Sequence, residues 1–445
     1  MKKKLMPFVA QAVSHPLVRS LKRDFNAFKG VLQSMPPVIE VFLRIDDPYS
    51  WLLVQVLPQL RDRLGIPLRF HAVEHLQKIM YPDLSAWHQN AFVDAGYLAQ
   101  LYGLTYPQEC PERTAARISL YSEALAEAVA MADQHPGDET ILDQLSMLFT
   151  RFWLEADLPA PELSRLSHDD ALLRLRVDEG QLQRQGHYLS ATLFYRGEWY
   201  WGLDRLYFLE QRVNSSSHEG TLFDRQHFDC SDTLALSDSV LSEAAGENTA
   251  EPVVMYFSLR SPYSYLGLEK AVRLARRYQR RLLIKPVLPM VMRGLSVPPV
   301  KKMYIFLDTK REAERAGIPY GRVADPLGAG VERCYALFDY AVSQGLGVAY
   351  LLSCARGVNA EGLHADSDRD LAIMVRRAGL NWERARTHLS NTDWRLWAEQ
   401  NMQTLSGLGL WGVPCFYYRD RVVWGQDRVW VIEQMLRTEP HPRAE

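Results

Sequence analysis

Cysteine is scarce and poorly placed for covalent or metal work: Cys110, Cys230, Cys334, Cys354 and Cys415 are five in 445 residues, with no Cys-x-x-Cys pair. That argues against a disulfide framework or a zinc knuckle and for a reducing, cytoplasmic setting. Excess charge is missing too. The 51 Lys and Arg against 53 Asp and Glu leave a formal charge of -2, so no nucleic-acid partner is expected. No apolar run is long enough for an integral membrane segment. At the start, Lys2-Lys3-Lys4 and Ala10-Gln11-Ala12 flank a short apolar stretch broken by Pro7, whereas a secretory leader needs about 7–15 apolar residues. A solvated leading helix is expected there, with membrane-surface contact through the basic segment up to Lys22-Arg23 as the alternative.

What the chain does have is enough apolar residue, 47%, to bury two or three ordinary cores, and an internal repeat. Asp47-Pro48-Tyr49-Ser50 recurs as Ser261-Pro262-Tyr263-Ser264, and the same offset of 214 pairs Asp94 with Asp308 and Gly103 with Gly317. Further on, Trp201-Gly202 and Asp204-Arg205 match Trp424-Gly425 and Asp427-Arg428 at an offset of 223, so the first copy is nine residues shorter in its middle. The expected division is a basic extension over 1–36, one domain over 37–215, a polar acidic linker over 216–251 and a second domain over 252–440.

Within each copy the signals run in the same order. An apolar run (Val38 to Ile45; Val253 to Phe257) leads into X-Pro, with the first residue as helix N-cap and proline at the first helical position. An apolar-periodic helix and a second strand follow, predicting a parallel pair. A mostly helical middle comes next, such as Arg333 to Ala355 and Asp368 to Gly379. A hairpin (Cys415 to Tyr418, Val422 to Trp424) and a helix from Asp427 to Leu436 close the copy. The predicted class is α/β, a strand–helix–strand half and a hairpin–helix half separated by a helical insertion. His71-Ala72-Val73-Glu74-His75 fits a zinc-protease pattern, but the repeat aligns it with a strand, where the two histidines do not share a helical face. Asp366-Ser367-Asp368 reads as a helix start rather than a calcium loop. No metal is expected.

The second copy resembles the DsbA-like thioredoxin superfamily, in its 2-hydroxychromene-2-carboxylate isomerase and kappa-class glutathione transferase branch. The resemblance covers essentially residues 252–437. It rests on five pieces in order: Tyr256-Phe257 running into Ser261-Pro262-Tyr263-Ser264-Tyr265-Leu266, Lys301-x-x-Tyr304-x-x-x-Asp308, Gly317-Ile318-Pro319, Gly412-Val413-Pro414, and Trp424-Gly425-Gln426-Asp427-Arg428. It implies two tandem thioredoxin-like domains with glutathione as cofactor, because Ser261 and Ser264 stand where thioredoxins carry their cysteine pair.

Carried over, Ser261 would hydrogen-bond the glutathione thiolate, which a helix N-terminus favours. On the tetrapeptide alone, a plain N-cap is the favoured reading of Ser261, and the downstream pieces reverse it. Val413 and a cis Pro414 would meet the cysteinyl main chain, Gln426 and Asp427 the γ-glutamyl end, and Lys301 a carboxylate of glutathione or of an acidic substrate. Structural readings stand beside these: a Gly-Val-Pro turn, a routine helix cap and a solvated lysine. Where the family often has asparagine before this lysine, the shorter segment 293–299 offers Ser296.

The first copy departs at most of these places, with Asp47 at the Ser261 position, Trp87 at Lys301, Asn90 at Tyr304 and Ala191 at Pro414. A carboxylate there would repel a thiolate. The N-terminal domain is therefore expected to be a degenerate, non-catalytic partner, forming an internal pseudo-dimer by analogy with the homodimers of this branch. The expected activity is a glutathione-dependent isomerase or transferase acting on an aromatic or unsaturated carbonyl compound. The alternative is a non-catalytic glutathione- or protein-binding module. Thiol–disulfide exchange is disfavoured because neither active-site cysteine is present.

Overall fold

The computed structural model describes residues 2–18, 20, 21, 23, 25, 36–135, 140–155, 166–214, 221–225, 228–232 and 251–438. The chain divides into two compact units, residues 20–226 and residues 227–445 together with 1–19. Helix α1 (Lys2–Ser14) thus belongs with the C-terminal unit. Most of the expected acidic linker, 233–250, lies outside the described residues, as do 26–35 of the expected extension.

In the N-terminal unit β1 (Ile39–Leu43) leads into α2 (Pro48–Leu64) and then β2 (Leu68–Ala72). Asp47 caps α2 by accepting from the Tyr49 N–H, Pro48 opens the helix, and Gly65 closes it in a left-handed turn at φ 60°. Helices α3 (Leu84–Tyr102), α4 (Ala115–Gln134), α5 (Thr140–Leu154) and α6 (His168–Arg184) follow. The hairpin β3 (Thr192–Tyr195) and β4 (Glu198–Trp201) and helix α7 (Leu206–Val213) complete the unit. The sheet order is β2-β1-β3-β4, with β1 parallel to β2 and antiparallel to β3.

The C-terminal unit follows the same order. Strand β5 (Val253–Phe257), α8 (Pro262–Arg277) and β6 (Leu282–Pro286) come first, then α9 (Pro299–Arg315). The middle is helical but broken, as α10 (Ala329–Ala336), α11 (Phe338–Ser343), α12 (Gly347–Arg356), α13 (Asp368–Arg377), the single turn α14 (Trp382–Ala385) and α15 (Trp394–Gly407). The chain returns through β7 (Cys415–Tyr418) and β8 (Arg421–Trp424) to α16 (Val429–Arg437). The sheet order is β6-β5-β7-β8, with β5 parallel to β6 and antiparallel to β7.

All five residues of β5 are buried, as its unbroken apolar run requires of a central strand covered on both faces. Met255, Phe257, Tyr265 and Leu266 sit at this core, each worth about 1.5–3 kcal/mol when fully buried. Two expectations shift. The last helix begins at Val429, not Asp427, because Gln426–Arg428 forms a tighter 3-10 turn. The stretch Arg333 to Ala355 is three helices, interrupted at Leu337 and at Gly345, whose φ of 70° ends a turn.

Candidate active site at the α8 N-terminus

Ser261 closes the β5–α8 corner. Its N–H donates to the Ser258 carbonyl at 3.0 Å, and its Oγ accepts from the Ser264 N–H at 3.1 Å as the helix cap. The Ser261 hydroxyl donates to the Val413 carbonyl at 3.4 Å, a long bond that leaves it half-buried beside the N-terminus of a 16-residue helix. Unsatisfied N–H groups and the partial positive charge there favour an anion over a neutral group. Ser264 turns inward instead, fully buried, and its Oγ accepts from the Ser258 N–H at 3.4 Å.

The Val413-Pro414 bond is cis. Val413 is half-buried, packed against Val254, Tyr256, Val287 and Leu410. Gly412 is obligatory next to it, since any Cβ would enter the Trp424 ring. The Gly425 N–H donates to the Pro414 carbonyl at 2.8 Å, which ties the start of the last helical segment to this loop.

Gln426 and Asp427 follow that tie, and they differ. Gln426 is buried, its Oε1 accepts from Lys270 Nζ, and its Nε2 donates to Glu312 Oε2 at 3.2 Å and to Asp427 Oδ1 at 2.5 Å. The amide is therefore committed to joining α8, α9 and Asp427. Lys301, in the first turn of α9, lies over the Trp411 ring with Nζ 5.6 Å from its centre. Burial pushes its ammonium down to about 8. Through Trp411 it borders the same 411–414 loop as Ser261.

Arg293 carries a signal that sequence reasoning missed. Its Nη2 donates to the Trp411 carbonyl at 3.1 Å and its Nη1 meets Met402 Sδ at 3.1 Å, while Nε is buried with no partner. Among the described residues no carboxylate pairs with it, and burial lowers its pKa. A half-buried cation with no carboxylate partner, hydrogen-bonded to the Trp411 carbonyl, suits an anionic ligand group. In the sequence it is one basic residue in a short loop, and nothing nearby marks it. Ser296, by contrast, is exposed.

The remaining candidates are structural. Cys415 is buried, its thiol pKa raised by that burial, and its Sγ donates to the Gly412 carbonyl at 3.0 Å. His71 bonds Asp178 at 2.9 Å and stacks on Phe42 at 4.4 Å, on a strand, while His75 is exposed. No group of three metal-ligating side chains gathers among the described residues. Ser367 caps α13 by accepting from the Asp370 N–H at 3.2 Å, as expected for a helix start. No helix among the described residues is long and apolar enough to cross a membrane.

Residues 252–437 match the model of the DSBA-like thioredoxin domain. The 2-hydroxychromene-2-carboxylate isomerase of Pseudomonas putida is 27% identical over 195 residues, 41% of this chain and 93% of the relative. A solved 2-hydroxychromene-2-carboxylate isomerase is 25% identical with a TM-score of 0.36, over 41% of this chain and 93% of its own. The cytosolic disulfide reductase DsbM from Pseudomonas aeruginosa, solved with GSH, is 18% identical with a TM-score of 0.30, over 42% of this chain and 99% of its own. The C-terminal part of this chain, residues 252–437, is a DSBA-like thioredoxin domain.

Proposed function

We propose that the C-terminal unit is a glutathione-dependent isomerase or transferase of the 2-hydroxychromene-2-carboxylate isomerase and kappa-class type, acting on an aromatic or conjugated carbonyl compound in the cytoplasm. The observation that carries this reading is the Ser261 hydroxyl at the α8 N-terminus, 3.4 Å from the Val413 carbonyl of a cis-proline loop. The similarity to the P. putida isomerase supports the reaction class.

The residues fit an anionic tripeptide. Ser261 offers a hydroxyl whose bond to Val413 is long enough to be exchanged for one to a sulfur anion. Among the described residues the Val413 N–H makes no hydrogen bond, so it can pair with a ligand's main chain. Arg293 holds positive charge without a carboxylate of its own. When bound, glutathione supplies a thiolate that adds reversibly to a conjugated double bond, which permits rotation or ring reopening before elimination, or leaves a conjugate if elimination does not follow. Ser261 and the helix terminus hold the sulfur as an anion. Val413 fixes the peptide, Asp427 takes the ammonium end, and Lys301 orients a carboxylate.

The N-terminal unit is proposed to be a second copy of the same fold without this activity. Its sheet has the same order and strand directions. An internal pseudo-dimer predicts that the intact chain sediments as a monomer. Calorimetry with glutathione on the wild type and Ser261→Ala tests the site itself: no binding by the wild type removes the reading. Binding without turnover across conjugated carbonyl compounds and chromene-type acids favours a glutathione-binding module instead.

A further inference from the structure

Helix α1 is seated on the C-terminal unit by one face. Pro7 and Ser14, seven residues apart, are buried. Gly321 at φ 129° leaves room for Ser14, since a Cβ there would come within 2.8 Å of its Oγ, and the Arg322 guanidinium lies 4.8 Å from the Phe8 ring centre. The opposite face is apolar and open. Leu5, Val9 and Val13 follow one another at i, i+4 and i+8, and Leu5 and Val9 are 53% and 54% exposed. Met6 and Phe8 flank them, and Leu17, 68% exposed, and Val18 continue the apolar surface. This is the reverse of a solvated helix, which would turn its polar side outward.

The charge of this segment names the surface that covers it. Residues 1–19 hold Lys2, Lys3, Lys4 and Arg19 and no acidic residue, in a chain whose formal charge is -2. We propose that α1 is a peripheral membrane anchor, lying flat on a bilayer surface rich in anionic lipid with Leu5, Val9 and Val13 inserted among the acyl chains. Its 13 residues are too few to span a bilayer, which takes about 20. A second copy of the chain is a poorer occupant, because it would set like charges against each other. The anchor is independent of the glutathione reading.

Flotation of the full-length protein with vesicles tests it, using phosphatidylcholine alone and phosphatidylcholine mixed with phosphatidylglycerol. The wild type should float with the anionic vesicles only, and less as salt rises. Lys2→Gln/Lys3→Gln/Lys4→Gln should weaken binding on the order of a hundredfold. Leu5→Ser/Val9→Ser/Val13→Ser should abolish it with the melting temperature kept, since these side chains are exposed. No flotation by the wild type, equal flotation with neutral vesicles, or a concentration-dependent dimer that the serine variant loses would each overturn the anchor.

Discussion

At Asp47 and at Ser261 one corner is built twice, and the two versions differ in how tightly the cap oxygen is held. The scaffolding agrees closely. Tyr49 OH donates to Asp94 and Tyr263 OH to Asp308, both at 2.7 Å. The Val73 N–H meets the Leu43 carbonyl and the Val287 N–H the Phe257 carbonyl, both at 2.8 Å. The Gly202 N–H bonds the Ala191 carbonyl at 2.7 Å, as the Gly425 N–H bonds that of Pro414 at 2.8 Å. At the first corner Asp47 is buried and accepts from Ser50 Oγ at 2.9 Å and Ser190 Oγ at 2.8 Å. Ser190 occupies the place of Val413, so a side chain fills the corner that Val413 leaves to its main chain. The same backbone thus makes a sealed polar knot in one unit and an open corner in the other.

The comparison is broken most severely at Ser261. Ser261→Ala should lower glutathione-dependent turnover roughly a hundredfold, as removing a donor from a developing anion does. The lost cap should cost only about 1 kcal/mol of stability by denaturant titration. Next comes Arg293→Met, which should weaken glutathione or acidic-substrate binding about tenfold by calorimetry. The same change should move the melting temperature little, because relief of a half-buried cation with no carboxylate partner is offset by loss of its hydrogen bond to the Trp411 carbonyl.

A smaller effect is a pH limb. Burial places the Lys301 ammonium near 8, so binding that depends on its charge should be full below that value and decline above it. Lys301→Arg should move the decline to higher pH in a binding-versus-pH series. The smallest effect on turnover belongs to the sealed corner. Burial is the largest influence on Asp47 and raises its carboxyl pKa, against the lowering pull of Arg44 and of Ser190 and Ser50. A raised folded value means that its stabilising contribution is present below the unfolded value near 3.8 and is lost as pH rises through the folded value. Asp47→Asn should leave turnover unchanged and remove that part of the pH slope of stability, read by melting across pH.

Much of this was legible because it is local. Apolar runs, X-Pro corners and the Gly-Val-Pro loop are each defined by a few consecutive residues, and the apolar runs and X-Pro corners occur in both copies. The isomer at Pro414 was not legible, since the sequence is compatible with both. Nor was the commitment of Gln426, which depends on Lys270 and Glu312, 156 and 114 residues away in the chain. Ser190 could have been found by applying the offset of 223 to Val413. Arg293 could not, because its significance is the absence of a nearby carboxylate in space. The outward apolar face of α1 likewise appears only once Pro7 and Ser14 are seen to be the buried side.

The most direct test of the central claim is an ultraviolet titration of the thiolate of glutathione bound to the wild type, to Ser261→Ala and to Asp47→Asn. The account predicts a thiol pKa lowered by about one unit or more from the free value near 8.5 in the wild type and Asp47→Asn, with much of that lowering lost in Ser261→Ala. An unshifted thiol in the wild type, or the same shift in Ser261→Ala, would contradict it.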